Sequence, residues 1–280
     1  MTSHKQIAIT HFVVSFILFS ITCALNYVYT ILSFDLTTLI CLQSLVIIIT
    51  FIGAHIGEDK ISIPCRASML GGLFALGIYI NFATSPHLRV FGIYLSVMAF
   101  FHFSEFIAIA MIQPNQVTAN SFVLNHSPQY NIAAVTSWVE FFLEAYFFPD
   151  LKEHFYVSYL GLVMCIAGEF LRKLAMLTAG RNFNHLVQSE KASDHVLVTD
   201  GVYSFFRHPS YVGWFYWAIG TQIILLNPLC IPAYAAVSWI FFNSRIYIEE
   251  ITLLNFFGQS YVNYQKVVRT GLPFIKGYEI

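Results

Sequence analysis

The side chains with most scope for chemistry gather late in this 280-residue chain. The stretch Gly180–Gly213 reads GRNFNHLVQSEKASDHVLVTDGVYSFFRHPSYVG and holds His185, His195 and His208. Metal ligation favours histidines or carboxylates at short helical spacing. These histidines stand ten and thirteen residues apart, without H-x-x-H or H-x-x-x-H, so no metal is expected. Asp200-Gly201 is a turn signal. Arg207-His208-Pro209 marks a reversal into a helix, because proline suits the first helical position and forces the preceding His208 to be extended. A helix starting there presents backbone N–H groups and the positive end of its dipole, a site for a carboxylate or phosphate. Tyr203, Phe206 and Tyr211 add aromatic faces suited to a flat heterocycle, although each by itself reads more simply as an interfacial anchor.

Farther on, Arg245 and Glu249-Glu250 stand where an apolar run ends. Arg245 and Glu249 are four apart and share one helix face. Their plain reading is a surface ion pair. Asn227-Pro228, however, joins two apolar runs in a tight hairpin, which must bring Arg245 and Glu249-Glu250 back to the Arg207-His208-Pro209 turn. Other ionisable residues inside apolar runs are His102, Glu105, Glu140, Glu144, Glu169, Arg172 and Lys173. Such residues are functional candidates by default, but here structural or interfacial roles are favoured. Glu169 and Lys173 can pair along a helix, His102 and Glu105 can pair at i, i+3, and Glu140 and Glu144 would repel if both were ionised.

The elements that must position these groups are membrane spans. The chain is 57% hydrophobic and only 10% charged, too little polar surface for a water-soluble particle of this size. Eight runs approach the roughly 20 apolar residues a helical span requires. They are Ile7–Leu32, Leu36–His55, Ser68–Ala83, Leu88–Ile112, Tyr130–Phe148, Phe155–Ala179, Pro209–Leu226 and Pro228–Ile248. Gly71, Gly72 and Gly77 weaken the third run, or let a neighbouring helix approach closely. Placing the N-terminus in the cytosol puts twelve Lys and Arg on that side and only Arg89 and Lys152 on the other, as the positive-inside rule asks. The first run reads as a retained span rather than a cleaved signal. After Ile248, apolar and aromatic residues continue at helical spacing as an interfacial or docked helix. The expected fold is therefore all-α, a polytopic integral membrane protein of about eight transmembrane helices with its polar groups gathered at a C-terminal cytosolic site, which the resemblance below implies is a cofactor site. Five scattered cysteines suggest neither zinc nor disulfides. A net charge of −1 gives no case for nucleic acid.

The pairing of R-H-P-x-Y-x-G (Arg207, His208, Pro209, Tyr211, Gly213) with R-x-x-x-E-E (Arg245, Glu249, Glu250) resembles membrane methyltransferases that use S-adenosylmethionine. Phe183–Gln188, His195–Tyr203, Asn125-His126-Ser127 and Tyr130 narrow this to a resemblance to the isoprenylcysteine carboxyl methyltransferase family, over roughly the last 170 residues. The resemblance implies methylation of the C-terminal carboxylate of a prenylated cysteine, at the endoplasmic reticulum membrane. Its partners would be membrane lipid and CaaX-processed proteins such as small GTPases. It also implies a cofactor site formed by Gln188, His195, Val196, Leu197, Val198, Tyr203, His208, Pro209, Ser210, Tyr211 and Glu249, with Arg245 as the catalytic residue on the substrate carboxylate. Residues 1–112 would be an N-terminal group of four spans, and 113–280 the methyltransferase core.

That chemistry suits the residue types. A sulfonium methyl is already activated and a carboxylate is already an anion, so alignment and exclusion of water suffice without a general base. Arginine can hold a carboxylate through a planar fork, and Glu249 suits an ammonium. The soluble dinucleotide fingerprint G-x-G-x-x-G is absent, so the pocket must be of another design. Two rival enzymes weigh less. An NADPH-dependent sterol or steroid reductase would want several converging basic residues, whereas Arg181, Lys191 and Arg207 are separated. A methyltransferase for a lipid amine would give Arg245 no carboxylate. A transporter would place polar residues mid-span, with an internal repeat.

Overall fold

The computed structural model describes residues 3–31, 52, 58–124, 127–188, 190–191, 193 and 195–278. Among them the fold is all-α. Helix α1 spans His4–Ile31, α2 Asp59–Ala83, α3 Pro86–Ile112, α4 Pro128–Phe147, α5 Phe155–Ala179, α6 Pro209–Leu225, α7 Cys230–Phe257 and α8 Gln259–Val267. Among the described residues three helical stretches, His4–Leu25 of α1 and the whole of α2 and α3, are long and apolar enough to cross a bilayer. The second expected span, Leu36–His55, lies outside the described residues apart from Ile52, as do Asn125 and His126. Proline opens α3, α4 and α6 at a position where its missing N–H costs nothing. Ser127 caps α4 by accepting the Tyr130 N–H at 3.1 Å.

Two boundaries differ from expectation. Helix α2 begins at Asp59, nine residues before the expected Ser68, and runs through Pro64. Pro64 stands in the second turn, where its missing N–H leaves the Lys60 carbonyl without an i+4 donor. At the other end, α7 does not stop at Ile248 but continues through Glu249-Glu250 to Phe257. Gly258 then adopts φ +52° and breaks the chain into the short α8. The expected docked helix is thus the last turns of α7 followed by a separate element.

The described chain forms two compact units, residues 1–162 with 224–227, and residues 163–223 with 228–280. In the first, α2 packs against α1 and α3. A side chain at Gly71 would overlap the Phe12 backbone of α1, and Gly77 meets Gly92 of α3 just as closely. The glycines therefore mark close helix contacts and do not weaken a span. His102 Nδ1 bonds the Phe122 carbonyl at 3.0 Å, and its Nε2 bonds the Tyr130 hydroxyl at 3.2 Å. Lys152, expected with Arg89 as one of two basic residues on the far side, is fully buried. Its ammonium donates to Glu144 at 2.6 Å, to the Leu225 and Leu226 carbonyls at 2.9 Å and to Asn227 Oδ1 at 3.1 Å. It thereby caps the C-terminal end of α6 and neutralises one of the two carboxylates expected to repel.

In the second unit α5 crosses α6 at Gly168 and Gly213, where an added Cβ on either would lie 2.5 Å from the other's carbonyl oxygen. Val212, Phe215, Phe242, Ile246, Leu272 and Ile275 form its core, so α6, α7 and the C-terminal tail share one apolar centre. Glu169 and Lys173 form the expected pair at 3.0 Å. Arg172, two turns before the end of α5, is buried, donates to Ser210 Oγ at 2.7 Å and lies over the Trp214 ring.

Candidate active site

The second unit holds a half-open cavity with an interior volume of about 130 Å³. One wall is the 179–198 segment, a second is Tyr203 with the start of α6, and the third is one face of α7 continued into α8. Every residue expected to hold the cofactor lines it: Gln188, His195, Val196, Leu197, Val198, Tyr203, His208, Pro209, Ser210, Tyr211 and Glu249.

The loop wall is held by local side-chain bonds rather than by regular structure. Asn182 Oδ1 accepts the Val196 N–H at 2.9 Å, tying the two ends of the loop, and Asn184 Oδ1 accepts from Leu186 N at 2.9 Å. Lys191 fixes the loop to the end of α7 by donating to the Phe256 carbonyl at 2.8 Å, with its ammonium over the Phe257 ring. His195 packs edge-on against Phe257.

The polar wall is an ordered relay. His208 lies parallel to Tyr211, ring centroids 5.5 Å apart. The Tyr211 hydroxyl donates to Glu249 and accepts from Arg245 Nε at 3.0 Å. Arg245 Nη2 donates to the His185 carbonyl. Arg245 itself does not line the cavity; it stands one layer back and reaches the wall through Tyr211. These bonds engage Nε–H and one Nη2–H of the guanidinium's five N–H groups.

The α6 start offers fewer donors than the sequence suggests. Pro209 has no N–H, and the Tyr211 and Val212 amides both bond the His208 carbonyl, at 3.0 and 3.1 Å. The Ser210 amide and the helix dipole remain for an anion.

Below the relay sits Glu250, whose side chain is fully buried. It accepts from Arg207 Nε at 2.8 Å, His208 Nε2 at 3.1 Å, the Tyr261 hydroxyl at 3.1 Å, Gln265 at 3.2 Å and the Tyr278 amide at 2.8 Å. Burial by itself would raise its pKa; the bond and charge of His208, with those of Arg207, outweigh burial and hold the carboxyl below its ordinary value. The neighbouring phenols move the other way. Burial raises Tyr203, Tyr261 and Tyr264; a carboxylate adds to it, Glu249 for Tyr203 and Glu250 for Tyr261, whereas at Tyr264 the Arg207 charge opposes burial without overcoming it.

A model of the "Isoprenylcysteine carboxyl methyltransferase (ICMT) family" matches residues 160–255. A protein-S-isoprenylcysteine O-methyltransferase from Tribolium castaneum is 58% identical over 275 residues, 98% of each chain. The chain belongs to the isoprenylcysteine carboxyl methyltransferase family. The Homo sapiens protein of that name is 50% identical over 221 residues, 79% of this chain and 78% of its own. A solved structure of the eukaryotic intramembrane Ras methyltransferase ICMT superposes with a TM-score of 0.93 at 55% identity, covering all of both chains. The protein is accordingly a membrane methyltransferase.

Membership in this methyltransferase family leaves several wall residues that motif reading missed. Thr252, Leu253, Phe256 and Phe257 line the cavity, at i+3, i+4, i+7 and i+8 from Glu249. That spacing is one helix face and was legible once α7 is continued past Ile248. Tyr261 and Tyr264 were not legible, because they reach the wall only after the break at Gly258.

Proposed function

We propose that this chain transfers a methyl group from S-adenosylmethionine to the C-terminal carboxylate of a farnesyl- or geranylgeranyl-cysteine on CaaX-processed proteins such as small GTPases. The observation that carries the reading is the convergence, on one cavity, of the aromatic and loop wall with Glu249, His208 and Tyr211, with Arg245 immediately behind. When bound, the sulfonium supplies an activated methyl, and the acceptor carboxylate is an anion at neutral pH. The protein's part is to hold and dry the two reactants.

Glu249 suits the cofactor's ammonium, and the Ser210 amide at the positive end of α6 suits its carboxylate. The aromatic wall of Tyr203, Phe256, Phe257, Tyr261 and Tyr264 suits an adenine. Arg245 orients the acceptor carboxylate. The bonds to Tyr211 and His185 fix the plane of its guanidinium, and it must orient the carboxylate without neutralising both oxygens, since a fully paired carboxylate is a poorer nucleophile. A prenyl chain contributes roughly 0.8 kcal/mol per buried CH₂ and is most readily reached from lipid, which accounts for a membrane setting. Eight spans, with both termini and residues 180–208 in the cytosol and the chain in the endoplasmic reticulum membrane, complete the proposal. Residues 1–112 form its N-terminal span group and 113–280 its methyltransferase core.

The test is methyl transfer from labelled S-adenosylmethionine to N-acetyl-farnesylcysteine by the purified chain. Incorporation into the prenylated compound and none into unprenylated N-acetylcysteine is expected. Equal incorporation into both refutes the prenyl assignment.

A further inference from the structure

We infer that the C-terminal tail, residues 268–278, is a strap that positions the cofactor wall through Arg207 and Glu250, although none of those tail residues lines the cavity. The inference rests on the reading of the cavity as the cofactor site. The strap begins where Phe206 and Arg269 form a parallel bridge. The Arg207 N–H donates to the Arg269 carbonyl at 2.8 Å and the His208 N–H to the Thr270 carbonyl at 3.2 Å, so the backbone leading into Pro209 is laid against the tail. The Arg207 guanidinium then gathers the returning chain. Beyond Glu250 it donates to the Val268 and Gln265 carbonyls and, at 2.8 Å, to that of Lys276. Four of its five N–H groups are thereby committed to the fold, in a residue that also borders the cavity.

Glu250 closes the strap from the other side. Its Oε1 accepts from Arg207 and His208 together, and its Oε2 accepts the Tyr278 amide. Gly277 sits so close that a Cβ there would meet the Glu250 carboxylate, at φ +85°, where a side chain is strained as well. Apolar and polar pins hold the middle. Leu272 and Ile275 enter the core shared by α6 and α7, and Trp239 Nε1 donates to the Pro273 carbonyl at 2.8 Å. The consequence reaches the cavity in one step, because His208, tied to Glu250, stacks on Tyr211, which holds Glu249. Adjacent carboxylates thus divide the work: Glu249 faces the cavity and Glu250 anchors the strap that aims it. Arg207 and Glu250 are positioning residues.

Two variants test this, each purified in lipid nanodiscs beside the unmodified chain. One ends after Ile275, removing the Lys276 carbonyl and the Tyr278 amide. The other is Gly277→Val, which pushes the strap away from Glu250 without touching the cavity. Direct binding of S-adenosylhomocysteine is measured first, then KM for each substrate and kcat. The loss of a hydrogen bond to a charged group scales as about ten- to a hundredfold. The expected result is a cofactor Kd and KM raised by about that factor, KM for the prenylated substrate within about twofold, and a rate restored at saturating cofactor. Cofactor binding within about twofold of the unmodified chain overturns the strap. Equal weakening of both substrates also overturns it, since that is general loosening. If the truncated chain is not recovered folded, Gly277→Val decides alone. If the unmodified chain does not bind S-adenosylhomocysteine, the cavity reading itself fails, and the inference with it.

Discussion

Replacing Arg245 by lysine keeps one positive charge and removes the planar fork. The guanidinium now donates from Nε to Tyr211 and from Nη2 to the His185 carbonyl. A lysine ammonium is a point donor on a flexible stem and cannot hold both partners while aiming a third donor outward. One hydrogen bond to a charged group contributes about 1.5–3 kcal/mol, so kcat for methyl transfer should fall by about one to two decades if that bond is made in the transition state. Cofactor affinity should change by less than about threefold by the same arithmetic, because Glu249 keeps its Tyr211 bond and the α6 start is untouched. The assay pairs the two quantities on one purified protein: S-adenosylhomocysteine binding by calorimetry, and single-turnover methylation of N-acetyl-farnesylcysteine. An unchanged single-turnover rate would refute the reasoning, since the carboxylate would then be held elsewhere. A large affinity loss with an unchanged rate at saturation would place Arg245 in the cofactor site.

Glu249→Gln should weaken S-adenosylhomocysteine binding by about tenfold or more, with KM for the prenylated substrate nearly constant; equilibrium binding in nanodiscs reads this directly. Lys152→Met leaves Glu144, two carbonyls and Asn227 without their cation, so the thermal midpoint should fall by an amount worth about 3 kcal/mol, as for other broken buried pairs. At alkaline pH the buried phenols govern stability. Tyr261 is raised above its ordinary value of 10.0 by burial and the Glu250 charge. A raised group contributes stability fully below its unfolded pKa and loses it as pH rises toward the folded value. Chemical denaturation should therefore show stability declining above about pH 10, with a shallower decline in Tyr261→Phe.

The sequence by itself determined the class of molecule and where its chemistry lies. Low charge and long apolar runs require lipid as solvent, and proline at position 209 sets a helix start whatever surrounds it, because φ and the missing N–H are local properties. The Arg245–Glu249 spacing likewise fixes a shared helix face before any packing is known. The tertiary structure decided what those faces meet. Glu249 and Glu250 are adjacent and chemically alike, yet one lines the cavity and the other is wholly buried among Arg207, His208 and the tail. Nothing in a dipeptide of identical side chains assigns those roles; the direction in which α7 packs does. The aromatic wall beyond Gly258 and the fully paired Lys152 were hidden for the same reason. Their partners, Tyr203 for Tyr264 and Leu225 for Lys152, are 61 and 73 residues away in the chain. Contacts at that range come from helix packing and leave no periodic trace in the local sequence.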